Sequence, residues 1–109
     1  MRELGFAMMC ILMAAAPLRA GNVFGNLTEN GSSVGRGVTV EIACDGTVTP
    51  GTTDDYGAYS IDIPNGRCEL TVLYKQQRTP PVVVASSDDP ARYDFDLVMS
   101  NGQYVLTRR

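Results

Sequence analysis

The chain has 109 residues, 44% hydrophobic and 19% charged, a composition that fits one globular domain and excludes a disordered chain. A net charge of −3 with no basic run leaves nothing to hold a phosphate backbone, so no nucleic acid partner is expected. There is no His and no Trp, which removes the commonest general base, the commonest metal ligand and the broadest sugar-stacking ring.

The first element is a targeting segment. Arg2 is followed by an apolar run from Leu4 to Ala16, and Pro17-Leu18-Arg19-Ala20 reads as a cleavage region. The run is too short to span a bilayer, which takes about 20 residues. Residues 1–20 are therefore expected to be a signal peptide cut after Ala20, with Ala16 as the next choice. Cys10 follows Met9 rather than a small residue, so it belongs to the apolar run and is not a lipid-attachment site. Cleavage removes Arg2, Arg19 and Glu3, leaves residues 21–109 as one domain and moves the net charge from −3 to −4.

The mature part reads as short strands separated by turns. Gly21–Glu29 is predicted as the first strand and Val38–Cys44 as the second, with Val38, Val40, Ile42 and Cys44 on one face. Asp45-Gly46 is a turn. Thr47–Thr49 reads as a short edge strand ended by Pro50-Gly51. Thr53-Asp54 supplies side-chain acceptors for a turn closed by Gly57. The strands Ala58–Ile63 and Arg67–Lys75 follow, joined at Asn65-Gly66. Gln76–Pro81 is predicted as a loop and Val82–Ala85 as a strand. Arg92–Met99 has Tyr93, Phe95, Leu97 and Met99 pointing inward. Asn101-Gly102 is the strongest hairpin signal, since both central residues of a type I′ turn need positive φ. Gln103–Thr107 returns from it. Seven or eight strands with no amphipathic helix argue an antiparallel β-sandwich.

Cys44 and Cys68 are the cysteines left after cleavage. Each shares phase with apolar neighbours, so both point to the core, and an even count in a small exported domain predicts a disulfide.

Gly21-x-Val23-x-Gly25, Val38-Thr39-Val40, Thr53-Asp54-x-x-Gly57-x-Tyr59 and Ile63-Pro64-Asn65-Gly66 leading into Leu70-Thr71-Val72 resemble the carboxypeptidase regulatory-like domain over about Asn22 to Met99. That resemblance implies a transthyretin-like (prealbumin-like) sandwich and a non-catalytic accessory module. Such modules stand beside peptidases, in surface assemblies or alone in the bacterial periplasm. A purine-breakdown hydrolase shares the transthyretin-like fold but relies on His, which is absent here.

No catalytic set emerges. The one lysine, Lys75, is the sole candidate base for a serine nucleophile. Asp54-Asp55 and Asp88-Asp89 are adjacent acids that a calcium ion would accept, yet no EF-hand spacing exists and solvated turns explain them better. Asp94 and Asp96 share an outward face. With the cysteines paired, zinc has no site, so no metal or cofactor is expected. No lysine lies on the first strand to form a Lys–Asn isopeptide. Asn26-Leu27-Thr28 and Asn30-Gly31-Ser32 match the glycosylation sequon. Tyr56 and Tyr104 are the nominated rings for a carbohydrate-binding module, the alternative function.

The expectation is an exported, non-enzymatic module of the periplasm or cell surface that binds another exported protein, with no membrane contact after cleavage. The run Val82-Val83-Val84 offers one route, by edge-strand pairing. The exported protein should begin at Gly21 and weigh about 2 Da less than its reduced form. N-terminal sequencing that starts at Met1, or rapid alkylation of both cysteines without reductant, contradicts this.

Overall fold

The computed structural model describes residues 20–109; the expected targeting segment, Cys10 and the expected cleavage region before Ala20 lie outside the described residues. Strand patterning dominates. The chain forms β1 (Ala20–Glu29), β2 (Ser32–Ser33), β3 (Thr39–Cys44), β4 (Thr47–Thr52), β5 (Ala58–Pro64), β6 (Gly66–Tyr74), β7 (Gln77–Arg78), β8 (Val82–Ser86), β9 (Ala91–Arg92), β10 (Phe95–Ser100) and β11 (Gln103–Arg108). No helix occurs among the described residues.

The strands form two sheets. One runs β11-β10-β1-β2, with β5 and β9 also on β1; the other runs β4-β3-β6-β7, with β8 also on β6. The count of eleven exceeds the seven or eight expected because three two-residue pieces extend longer neighbours. β2 follows β5 along β1, and β7 follows β8 along β6. β9 and β10 both run parallel to β1, so the sandwich is not purely antiparallel.

That parallel pair corrects the expected strand Arg92–Met99, which is broken at Tyr93-Asp94. Gly25 explains the break. A β-carbon there would fall on the Tyr93 carbonyl. With none present, Tyr93 crosses the strand closely: its N–H donates to the Phe24 carbonyl at 2.8 Å. Its own carbonyl accepts the Tyr59 hydroxyl at 2.6 Å. The Asp94 carboxylate then replaces a ladder carbonyl, accepting the Asn26 N–H at 2.8 Å.

The core follows the period of two. β3 buries Val40, Ile42 and Cys44; β5 buries Tyr59, Ile61 and Ile63; β6 buries Cys68, Leu70 and Val72. β1 adds Val23 and Leu27, and β10 adds Phe95 and Leu97. Met99, expected inward, is 51% exposed beside the hairpin tip, while Tyr104 opposite it takes the cover of the other sheet. Pro50 does not end β4, which continues to Thr52. The two-residue turn Asp45-Gly46, with φ of 50° and 83°, makes Cys44 and Thr47 exchange hydrogen bonds. By alternation Pro50 turns its nitrogen to the open edge, where no N–H is needed.

Cys44 and Cys68 are joined by a disulfide. They face each other across β3 and β6, one step past the Ala43–Glu69 pair, with Cα atoms 4.6 Å apart. That spacing suits a non-hydrogen-bonded antiparallel pair. The bond ties two strands of one sheet rather than the two layers. A Cys44→Ala/Cys68→Ala variant, closing no loop across the separation of 24 residues, should lose roughly 3–4 kcal/mol in a urea melt. A loss below about 1 kcal/mol would show that the sheet needs no crosslink.

Candidate interaction face

The nominated residues are mostly committed to the fold. Asp54 Oδ1 accepts the N–H groups of Tyr56 at 2.9 Å and Ala58 at 3.0 Å. Those two bonds, Ala58 first, hold its carboxyl below the usual range. Thr53 is buried, accepting the Val38 N–H and donating to the Gly35 carbonyl. Asp55 pairs with Arg36 on the surface. Gly57, with φ of 76°, closes the turn, and its carbonyl accepts the Leu27 N–H at 2.9 Å.

Asp88 accepts from the Asn65 amide at 2.7 Å. Among the described residues no group of three or more His, Cys, Asp or Glu converges on one point. Asp94 and Asp96 do not form an open acidic patch. Asp94 holds Arg92 at 2.9 Å and Asp96 accepts the Thr28 hydroxyl at 2.7 Å. The sequon residue Asn26 is half-buried and accepts from Arg92, whereas Asn30 is exposed at a hairpin tip.

The two nominated tyrosines do not make a ring platform. Tyr56 stands out at 76% exposure, but Tyr104 is 6% exposed and belongs to the core. Alternation fixed the face of Tyr104; its depth comes from β6, which lies across from it. Its hydroxyl donates to Glu29 Oε2 at 2.7 Å, and Tyr74 donates to Oε1 at 2.7 Å. The two rings meet edge to face at 5.1 Å. Lys75 approaches the same carboxylate at 3.5 Å.

This clasp of four ionisable groups was missed by sequence reading. The Tyr74 hydrogen bond, then Tyr104, lowers Glu29 below the ordinary carboxylate range. The Glu29 charge raises Lys75, which is opposite to what a general base needs. Both carboxylate oxygens are spent on binding β1 to β6 and β11.

Sheet edges come next. On β11, Gln103, Val105 and Thr107 bond β10, so the backbone polar groups of Tyr104, Leu106 and Arg108 face the edge. Gln77 Oε1 covers the Tyr104 N–H at 2.9 Å. On β8, the Tyr93 hydroxyl covers the Ala85 N–H at 2.9 Å. Of Val82, Val83 and Val84, the last is core and only Val83 stands out, at 49% exposure. With Pro50 on β4, three edges carry a device that discourages strand addition.

The outer faces differ. On the β1 sheet, polar side chains satisfy one another: Asn22 bonds Ser60 and Asp62, Thr28 bonds Asp96, and Arg92 bonds Asn26 and Asp94. On the β3–β6 sheet, one cross-strand row reads Val48–Ala43–Glu69–Val83. Val48 is 53% exposed. Beside this row lie a hollow of about 290 Å³, walled by Val48, Thr71 and Pro81, and another of about 350 Å³ at Arg67. Arg67 and Glu69 have no ion-pair or hydrogen-bond partner among the described residues, whereas Arg78 and Glu41 pair at 2.7 Å.

No protein-family model matches the chain, and no curated protein matches it. Solved structures do. A DUF3823 family protein from Parabacteroides merdae superposes with a TM-score of 0.59 at 13% identity, covering 84% of this chain and 48% of that one. A "putative cell adhesion protein" from Bacteroides fragilis gives a TM-score of 0.47 at 10% identity, covering 84% of this chain and 45% of that one. The chain thus spans about half the length of the structures it resembles, and the likeness to the first is one of fold.

The clasp has a pH signature. Glu29 is lowered in the folded state, so its contribution is complete above the ordinary glutamate range and is lost as pH falls through the lowered value. Thermal melts of a Glu29→Gln variant should therefore fall short of wild type near neutral pH and approach it at about pH 3. An equal deficit at both pH values would show that the carboxylate charge is not what binds the two tyrosines.

Proposed function

We propose that the chain is an exported, non-enzymatic β-sandwich that binds another protein through the outer face of its disulfide-bearing sheet. The observation that carries this reading is the contrast between the two outer faces. One carries a ladder of polar side chains that bond one another, with a single exposed valine among its described residues, Val98, on β10. The other presents Val48 and Val83 around a floor of Ala43 and Thr71, with Arg67 and Glu69 unpaired. Exposed aliphatic side chains beside unspent charges are what a protein partner covers.

Export is supported by the N-terminal apolar segment and by the disulfide, a bond that persists in oxidising compartments. The sandwich of two effectively four-stranded sheets is consistent with the transthyretin-like, carboxypeptidase regulatory-like resemblance and its accessory role. A sugar-binding reading has weaker support: Tyr56 is its one exposed ring, and stacking on a sugar face gains from a second.

The test places a photo-crosslinking amino acid at Val83, or at Ser60 on the opposite outer face, in cells that export the full chain. Val83 should give discrete protein adducts where Ser60 gives none. Adducts from Ser60 alone, or none from Val83, would contradict the reading.

A further inference from the structure

We infer that this face pairs with a second copy of the chain, in a two-fold dimer held by Arg67 and Glu69. The inference rests on the docking face proposed above and names its partner. Two adjacent rows carry it. The first is Val48–Ala43–Glu69–Val83. The second is the next pair on the same face, Arg67–Ala85 across β6 and β8, level with the Asp45-Gly46 turn that ends β3 and begins β4.

Arg67 and Glu69 lie on one face of β6, roughly 7 Å apart along the strand. A two-fold axis lying in the interface and crossing the strands between the rows sets each row over the other row of the second copy. Glu69 then meets Arg67 of the other copy, and Arg67 meets its Glu69. Such reciprocal contact is what an isologous interface requires.

The flanking residues fit the same operation. Val83 falls over Ala85, large over small, and Val48 falls over the Asp45-Gly46 turn. The hollow of about 350 Å³ beside Arg67, lined also by Ala43, Asp45 and Gly46, receives the second copy's Glu69 side chain. Within one chain the charges are unspent: Arg67 and Glu69 pair with nothing described. The axis passes near the end of the sheet, so overlap is limited. Four strands at about 4.8 Å and two rows about 7 Å apart cover roughly 270 Å² per copy. That is well below the ~800 Å² per partner of a standard interface, so the dimer is weak and concentration-dependent.

Sedimentation velocity of the exported, disulfide-bonded protein, over a concentration series reaching the millimolar range, tests this. Wild type should pass from monomer to dimer. Glu69→Arg and Arg67→Glu place like charges together and should each raise the dissociation constant at least ~10-fold. Mixing the two variants one to one restores both ion pairs and should restore association to the wild-type level. Circular dichroism melts matching wild type establish that the variants fold. Monomeric wild type throughout, or a mixture that associates no better than either variant alone, overturns the inference. If wild type is monomeric while Val83 crosslinks a different protein, self-pairing falls and the docking face stands. If Val83 crosslinks nothing, both fall.

Discussion

Tyr93 is the residue on which the two sheets depend for their relation. Its backbone crosses β1 where Gly25 has no side chain, donating to Phe24 and accepting from Tyr59. Its hydroxyl reaches the other sheet and takes the Ala85 N–H. Arg108 lies over its ring at 4.1 Å. One residue therefore fixes the β9–β10 break with its backbone, and with its side chain covers a β8 edge donor and meets the C-terminal strand. A glycine and a tyrosine 68 positions apart set that geometry, which is why the chain tolerates a strand broken in its middle.

From this crossing follows the division between closed and open surface. Gln77 repeats at the other end of the sandwich what Tyr93 does on β8: a side chain from one sheet satisfies an edge donor of the other. The Glu29 clasp adds a third tie between layers. Buried or half-buried polar groups left unpaired would cost more than they return, so these bonds hold the layers in one arrangement. With a device on three edges and the polar side chains of one outer face bonded to one another, the outer face of the β3–β6 sheet is where exposed valines lie beside unspent charges.

Much of the fold was legible. Alternation located the long strands and the core face of each, and Asn101-Gly102 and Asp45-Gly46 are hairpin turns with φ positive at both residues. The cysteines share the core side of their strands, as their phase required. Other features had no local signal. Lys75-Gln76 makes the same turn, with φ of 50° and 68°, from residues that seldom adopt it. Its strain, about 1–3 kcal/mol per residue, is offset by contacts from Tyr74 and Gln77 to distant strands. The break at Tyr93-Asp94 depends on Gly25, and the burial of Tyr104 depends on Glu29 and Tyr74. A period of two assigns a side but not what covers it, which is also why Met99 stands exposed and Tyr104 does not.

The central claim is that the protein meets its partners with a sheet face and not with a strand edge. Hydroxyl-radical footprinting of the protein, dilute and then inside or on its own cells, measures this directly. The account predicts protection of Val48, Pro81 and Val83 with no change at Leu106 on the β11 edge or Phe24 on the opposite face. Protection confined to Leu106 and its neighbours, with Val83 as reactive in the cells as in dilute solution, would contradict it.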